Sequence, residues 1–244
     1  MTYLYLDIET VPDFESSEEY LASRSMIENG KLTPQSNSSL YYRVTMGALN
    51  PHQGKTIAIA YSIGDEDLQI LEEWVSSERE TLQKFYDVLD KATRESWKSK
   101  THLTYVGFNI LHFDIPFLFC RMQYHEIRTS SSGHDPIWLY RKLFWPSVDL
   151  LQMHLHLNHC VCEGLNHDAV CCAYGLPIKD IHGDVIKDLY YQREYQKIEK
   201  YIRDEFLHRD ILERILTEGI VDAERFRSSV DDIKKRKADS QIRR

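Results

Sequence analysis

The sequence predicts an α/β fold, a mixed sheet with helices packed on it. Two observations carry this. Short β-forming runs come first, in the order strand, loop, hairpin, helix, strand, and helical patterns fill the rest of the chain. A length of 244 residues with 42% hydrophobic and 11% aromatic content then supplies enough core for one such domain.

Residues 3–8, Tyr-Leu-Tyr-Leu-Asp-Ile, alternate and read as the first strand. Segment 13–50 is polar, with Ser, Asn and Pro clusters, and reads as a helix followed by a long surface loop. Residues 56–63 form a second strand, Gly64 to Asp67 a turn, and 68–74 the returning strand of a hairpin. Ser77 followed by Glu80 is a capping box. Leu82, Phe85 and Leu89 then recur at helical spacing, giving a helix over about 78–92. Residues 103–108 are another strand, a helix starts near Asp114, and Arg128 to Pro136 is loop. From Leu150 onward the pattern is mostly helical, broken at Gly175-Leu176-Pro177 and His182-Gly183-Asp184, with a last long helix over about 194–217.

Composition narrows the function classes. No apolar run is long enough to span a membrane. The N-terminus lacks the basic and apolar blocks of a signal peptide, so a cytoplasmic location is expected, with the five cysteines as reduced thiols. A net charge of −8 counts against tight, non-specific binding of duplex nucleic acid, but not against an enzyme that grips a few nucleotides at one end. Residues 221–244 read as a charged tail outside the 1–220 domain. Its basic end, Lys234-Lys235-Arg236-Lys237 with Arg243 and Arg244, is expected to be solvated or to serve as a phosphate-contacting arm.

Two constellations carry chemistry. Asp7-Ile8-Glu9-Thr10 ends the first strand, where side chains two apart share a face. Asp7 and Glu9 therefore project together and repel, an arrangement that makes sense around a hard divalent cation such as magnesium or manganese. The second is Gly107-Phe108-Asn109-Ile110-Leu111-His112-Phe113-Asp114-Ile115-Pro116. Gly107 permits a close backbone approach, Asn109 can tie the turn with its side chain, and Asp114 sits where a helix begins.

Together these motifs resemble the DEDD exonucleases, in particular the proofreading exonuclease domain of family B DNA polymerases and its stand-alone relatives. The likeness extends through Leu49-Asn50-Pro51, Gly54-Lys55-Thr56-Ile57, Val148-Asp149-Leu150 and Gly164-Leu165 to Lys179, and covers roughly residues 3–216. It implies a ribonuclease H-like fold, two bound magnesium or manganese ions, and 3′–5′ hydrolysis of single-stranded DNA, or of RNA, to 5′-mononucleotides. It further implies that Asp7 bridges two ions about 4 Å apart. Glu9 then binds one ion and orients the attacking water, and Asp114 reaches the other. Thr10, Asn109 and Phe113, inside the matched motifs, are the expected substrate contacts. No polymerase module accompanies the motifs, so a proofreading or repair role implies a separate partner.

The fourth carboxylate departs from the family pattern, which places Tyr four residues before Asp. Tyr201 with Glu205 keeps the tyrosine and replaces Asp by Glu, whereas Phe206 with Asp210 keeps the acid and loses the hydroxyl. On one continuous helix, Ile198, Tyr201, Ile202, Leu212 and Leu216 define an apolar face. Glu205 lies near its middle, and Asp210 lies more than roughly 90° away. A helix break near His208 would rescue Asp210, whose shorter side chain matches the other acids. Both alignments stand, with Asp204 a distant third. If neither acid completes the set, the chain is a degenerate nucleic-acid-binding module; an endonuclease or 5′ exonuclease on the same fold is a third reading.

Two further features invite site readings. His154, His156, His159, Cys160, Cys162, His167, Cys171 and Cys172 fall within nineteen residues, a density that suggests zinc. The spacing is not a clean pair of Cys-x-x-Cys knuckles, so small buried thiols and surface histidines are expected instead. Tyr41, Tyr42, Trp138, Phe144 and Trp145 sit in or beside the long loops and could stack on bases or simply anchor those loops.

Overall fold

The computed structural model describes residues 2–128, 147–158, 165–179 and 182–242, with the backbone alone at 232 and 234–242. Its centre is a five-stranded sheet: β1 (Thr2–Pro12), β2 (Gly54–Ile63), β3 (Gln69–Glu72), β4 (Leu103–Gly107) and β5 (Ser147–Asp149). The spatial order is β3-β2-β1-β4-β5. β2 runs antiparallel to β1 and β3, while β4 runs parallel to β1 and β5. A short turn suffices for the antiparallel β2–β3 pair; the parallel β4 needs a crossover. Helix α3 (Glu78–Lys98) lies in that crossover. This is a ribonuclease H-like α/β fold, a mixed sheet flanked by helices, as the sequence predicts.

Alternation along β1 sorts the core. Leu4, Leu6 and Ile8 face one side and pack beneath α3 and α4 (Asp114–Tyr124) with Phe85, Leu89, Ile115 and Leu118. Tyr5 and Val11 face the other side, in two further clusters. Asp7 and Glu9 fall between Tyr5 and Val11 on that second side, so carboxylates interrupt an otherwise apolar face.

The structure corrects three expectations about elements. Segment 13–50 begins with the expected helix, but the long loop expected after it contains a second one. The two are α1 (Ser17–Glu28) and α2 (Ser38–Met46), whose N-caps are the side chains of Ser16 and Asn37. The Ser/Asn cluster that resembles a loop is thus a helix start, because those residues cap helices as readily as they make turns. Helix α3 runs on to Lys98, past the predicted end near residue 92. The long helix expected over 194–217 is two helices, α8 (Tyr195–Glu205) and α9 (His208–Glu218), joined at Phe206 and Leu207. Ile198, Tyr201 and Ile202 pack into one cluster, and Ile211, Leu212 and Ile215 into another. A straight rod would not present both sets to their own cores, and Leu216, assigned to the shared face, is exposed.

The remaining helices flank the same side: α5 (Leu150–His154), α6 (His167–Ala173), α7 (Ile186–Tyr191) and α10 (Ala223–Ile242). Helix α10 occupies most of the segment read as a charged tail. Phe226 and Ile233 are buried in the cluster that contains Ile211 and Val170, and so anchor it. The side chains of Lys234, Lys235, Arg236 and Lys237 lie outside the described residues, as do Arg243 and Arg244. Among the described residues no helix is long and apolar enough to cross a membrane.

Gly107 closes β4 for a steric reason. A Cβ there would stand 2.1 Å from Ile110 Cγ2 and 2.6 Å from the Leu6 carbonyl oxygen. Both belong to the packed junction of β1 and the 108–113 turn, so neither can retreat freely. Gly107→Ala should lower unfolding free energy by about 3 kcal/mol, the upper range for overpacking, in urea denaturation. An unchanged midpoint would show that the junction yields.

Candidate metal centre

The sheet aims Asp7 and Glu9 at the helices. Across the β1–β2 ladder their partners are Ala60 and Ala58, the smallest side chains available on that face short of glycine. This leaves space above β2 that a larger residue would fill. The register shifts between Glu9 and Thr10, where β2 carries one extra residue, Ile57. Such a bulge bends the strand and re-aims its side chains, and bulges are frequent beside active sites.

Glu205, the last residue of α8, arrives from above. One carboxylate oxygen each from Asp7, Glu9 and Glu205 can be chosen so that all lie within 4.8 Å of one another. Tyr201 precedes Glu205 by one turn and is buried. Lys179 donates from Nζ to the Tyr201 hydroxyl at 2.8 Å and pairs with Glu205 Oε1. The side chains of Lys179 and Glu205 are only 11% and 14% exposed, so this ion pair is shielded from water.

Of the two alignments left open by the sequence, the Tyr201–Glu205 pair is the one brought to the strand. Asp210, expected as a metal ligand, is exposed. It lines an open cleft of about 260 Å³ with Ser62, Glu66, Asp67, Leu68, Phe206 and Arg209. The helix break near His208 does exist, but α9 restarts in a direction that turns Asp210 to solvent. Asp204 is also exposed and pairs with Lys200.

Asp114 is 3% exposed, and its Oδ1 accepts the Ile8 N–H at 3.0 Å, the amide between the two strand carboxylates. It therefore joins α4 to the site's backbone but stands outside the close group of three. Thr10 donates its hydroxyl to the Ala48 carbonyl at 2.6 Å, tying the 47–49 turn to β1. Asn109 adopts a left-handed φ of 62° and donates its backbone N–H to Asp149 Oδ1 at 3.0 Å. It ties the turn through its backbone rather than through its side chain as expected. Phe113 is half-buried against the α3–α4 core, 5.5 Å from the Phe117 ring.

Two residues matter here that sequence reasoning did not single out as site residues. Lys179 follows a Gly-Leu-Pro turn, and no spacing rule marks it. Asp149 is buried and accepts backbone N–H groups of Asn109, Leu111, Leu151 and Gln152, which both caps α5 and holds the 109–111 turn. An Asp immediately before an apolar helical run is a readable cap signal, but its reach across to residue 109 is not.

Electrostatics explain what the cluster asks for. Burial, then Glu205, Asp114 and Glu9, push the Asp7 carboxyl well above its ordinary range. Burial and Glu205 do the same to Glu9, with Lys179 opposing. Asp114 is pushed up to about 8, chiefly by burial, against the Ile8 hydrogen bond. Burial alone would lower Lys179, but its pairing with Glu205 outweighs that and holds it above the usual lysine value. One ammonium among three close carboxylates leaves negative charge uncompensated. The donor set is all hard oxygen, the chemistry of magnesium or manganese. Asp7, Glu9 and Glu205 thus fit a divalent cation in donor type and in spacing.

The His/Cys cluster offers no comparable group among the described residues. His154 is buried, with Nδ1 at the Leu150 carbonyl and Nε2 3.0 Å from the Tyr174 hydroxyl. His167 is also buried and contacts Cys171 Sγ at 3.6 Å. The expected surface histidines are therefore core residues at these two positions; His159, Cys160 and Cys162 lie outside the described residues. So do Trp138, Phe144 and Trp145, whereas Tyr42 is exposed on α2.

The raised carboxyls set a pH dependence for the metal-free protein. Unfolded, Asp114 releases its proton near 3.8; folded, it holds the proton until about 8. Between those values the folded state binds more protons, so stability falls as pH rises. The thermal midpoint should drop steadily from about pH 5 to about pH 8, and Asp7→Asn should flatten the drop. A flat or rising wild-type profile would contradict this picture. No protein-family model matches the chain, and no curated protein matches it.

Proposed function

We propose that the protein is a metal-dependent 3′–5′ exonuclease that acts on single-stranded DNA or RNA ends and releases 5′-mononucleotides. The observation that carries this reading is the meeting of Asp7, Glu9 and Glu205 within 4.8 Å, with Tyr201 one turn behind. Two divalent cations, when bound, would supply an activated water and neutralise charge at the scissile phosphate. Asp7, Glu9 and Glu205 would hold them, with Asp114 as the fourth carboxylate at the start of α4.

The chain's own groups divide the remaining work. Burial, Glu9 and Glu205 push the Tyr201 hydroxyl far above its ordinary range, so it keeps its proton at neutral pH. It therefore serves as a hydrogen-bond donor that orients water, not as a base. In the metal-free protein Lys179 bridges Glu205 and Tyr201 through its two bonds. Thr10, Asn109 and Phe113 are the proposed contacts for the terminal nucleotide on the strength of the motif resemblance alone; the fold already holds Thr10 at the Ala48 carbonyl, Asn109 at Asp149 and Phe113 against Phe117. Cations bound among the three acids would offset the local negative charge that an anionic strand meets there.

The test uses single strands labelled at the 3′ or 5′ end, with manganese. Stepwise shortening from the 3′ end with mononucleotide release is expected. Asp7→Ala and Glu205→Gln should each lower the rate at least about 100-fold, since loss of a few kcal/mol at about 1.4 kcal/mol per decade gives that much. Asp210→Asn should stay within about threefold of wild type, because exposed residues away from the site contribute little. No mononucleotide product would sink the enzyme reading and favour a binding module of the same fold.

A further inference from the structure

The position of Lys179 carries a consequence for how the centre is filled. Its ammonium already sits where a cation is wanted. It pairs with Glu205 Oε1, donates to the Tyr201 hydroxyl at 2.8 Å, and lies 4.8 Å from the Tyr201 ring centroid. Glu205 is at the same time the member of the acidic group that α8 contributes. A carboxylate oxygen that accepts from an ammonium cannot give that lone pair to a metal ion at full strength. Ammonium and metal also repel across so short a span.

We propose that Lys179 is a built-in competitor for the metal: it neutralises Glu205 in the metal-free protein, and a cation fills the centre by displacing it from that carboxylate. This rests on the proposed metal-dependent reading and deepens it. The displaced ammonium has a place to go, since the Tyr201 hydroxyl remains a partner and the aromatic face lies alongside. The exchange has a use. Without metal, three crowded carboxylates would push α8 away from β1; with Lys179 inserted, the site stays assembled. The cost is weaker metal affinity, so occupancy follows the free divalent concentration instead of being permanent.

The experiment is calorimetric titration of Mn2+ into the metal-stripped full chain, for wild type, Lys179→Met, Lys179→Arg and Asp7→Asn. Lys179→Met keeps the length and removes the charge. It should bind Mn2+ roughly tenfold more tightly than wild type, within the roughly 5–150-fold range typical of coupled binding events. Lys179→Arg keeps the competing charge and should gain nothing. Unchanged or weaker binding by Lys179→Met would overturn the proposal, because a lysine that only positions Glu205 predicts weaker binding on removal. Wild-type protein that binds no Mn2+, with Asp7→Asn indistinguishable from it, would overturn the metal centre itself, a separate outcome. A second measurement needs no variant. Modification of Lys179 by an amine-reactive ester, read by mass spectrometry, should speed up severalfold when Mn2+ is added; unaltered labelling in protein that binds Mn2+ would also overturn the proposal.

Discussion

Mutual repulsion among Asp7, Glu9 and Glu205 is the constraint around which the rest of the structure is arranged. Two lie on a strand whose neighbouring positions, Tyr5 and Val11, are core. Carboxylates are rarely placed there without compensation, because taking a charge out of water costs far more than ordinary packing returns. Lys179 supplies part of the compensation. The remainder appears as raised proton affinity at Asp7, Glu9 and Asp114. On the proposed reading, a bound cation would offset this electrostatic deficit.

The scaffold holds the crowding in place by rigid means. Ala58 and Ala60 leave room beside the acids, and the bulge at Ile57 adjusts their aim. Asp114 fixes the amide between them, and Asp149 fixes the turn that carries Asn109. Behind these, Arg121 and His125 share Glu78, which also accepts the Thr56 amide. That buried network links α3 and α4 to β2 on the side opposite the acids. The acids thus rest on elements locked from both faces of the sheet, as a site that must hold its geometry under repulsion requires.

The sequence was legible where local rules dominate. Alternation in residues 3–8, the hairpin at Gly64 to Asp67 and the Ser77–Glu80 capping box all appear as expected. Asp7 and Glu9 on one strand face follow from the period of two alone. The second helix within 13–50 is not foreseen because Asn37 is as good a turn residue as a helix cap. The choice between Glu205 and Asp210 was not decidable, because it depends on a break at Phe206 and Leu207 imposed by two distant hydrophobic clusters. Lys179 was illegible for the same kind of reason: its partners are 22 and 26 residues away, and only the folded turn brings them together.

The break between α8 and α9 has one more consequence. It makes Glu205 the terminal residue of its helix, so the C-terminal end of α8 lies at the residue that joins the two strand carboxylates. A helix carries partial negative charge at that end, equivalent to about half an electron. The negative pole of α8 therefore lies at Glu205 and adds to the negative potential around that carboxylate. Had the chain run straight through Phe206, Glu205 would sit in mid-helix and that contribution would vanish. The kink required by packing thus also deepens the negative potential at Glu205.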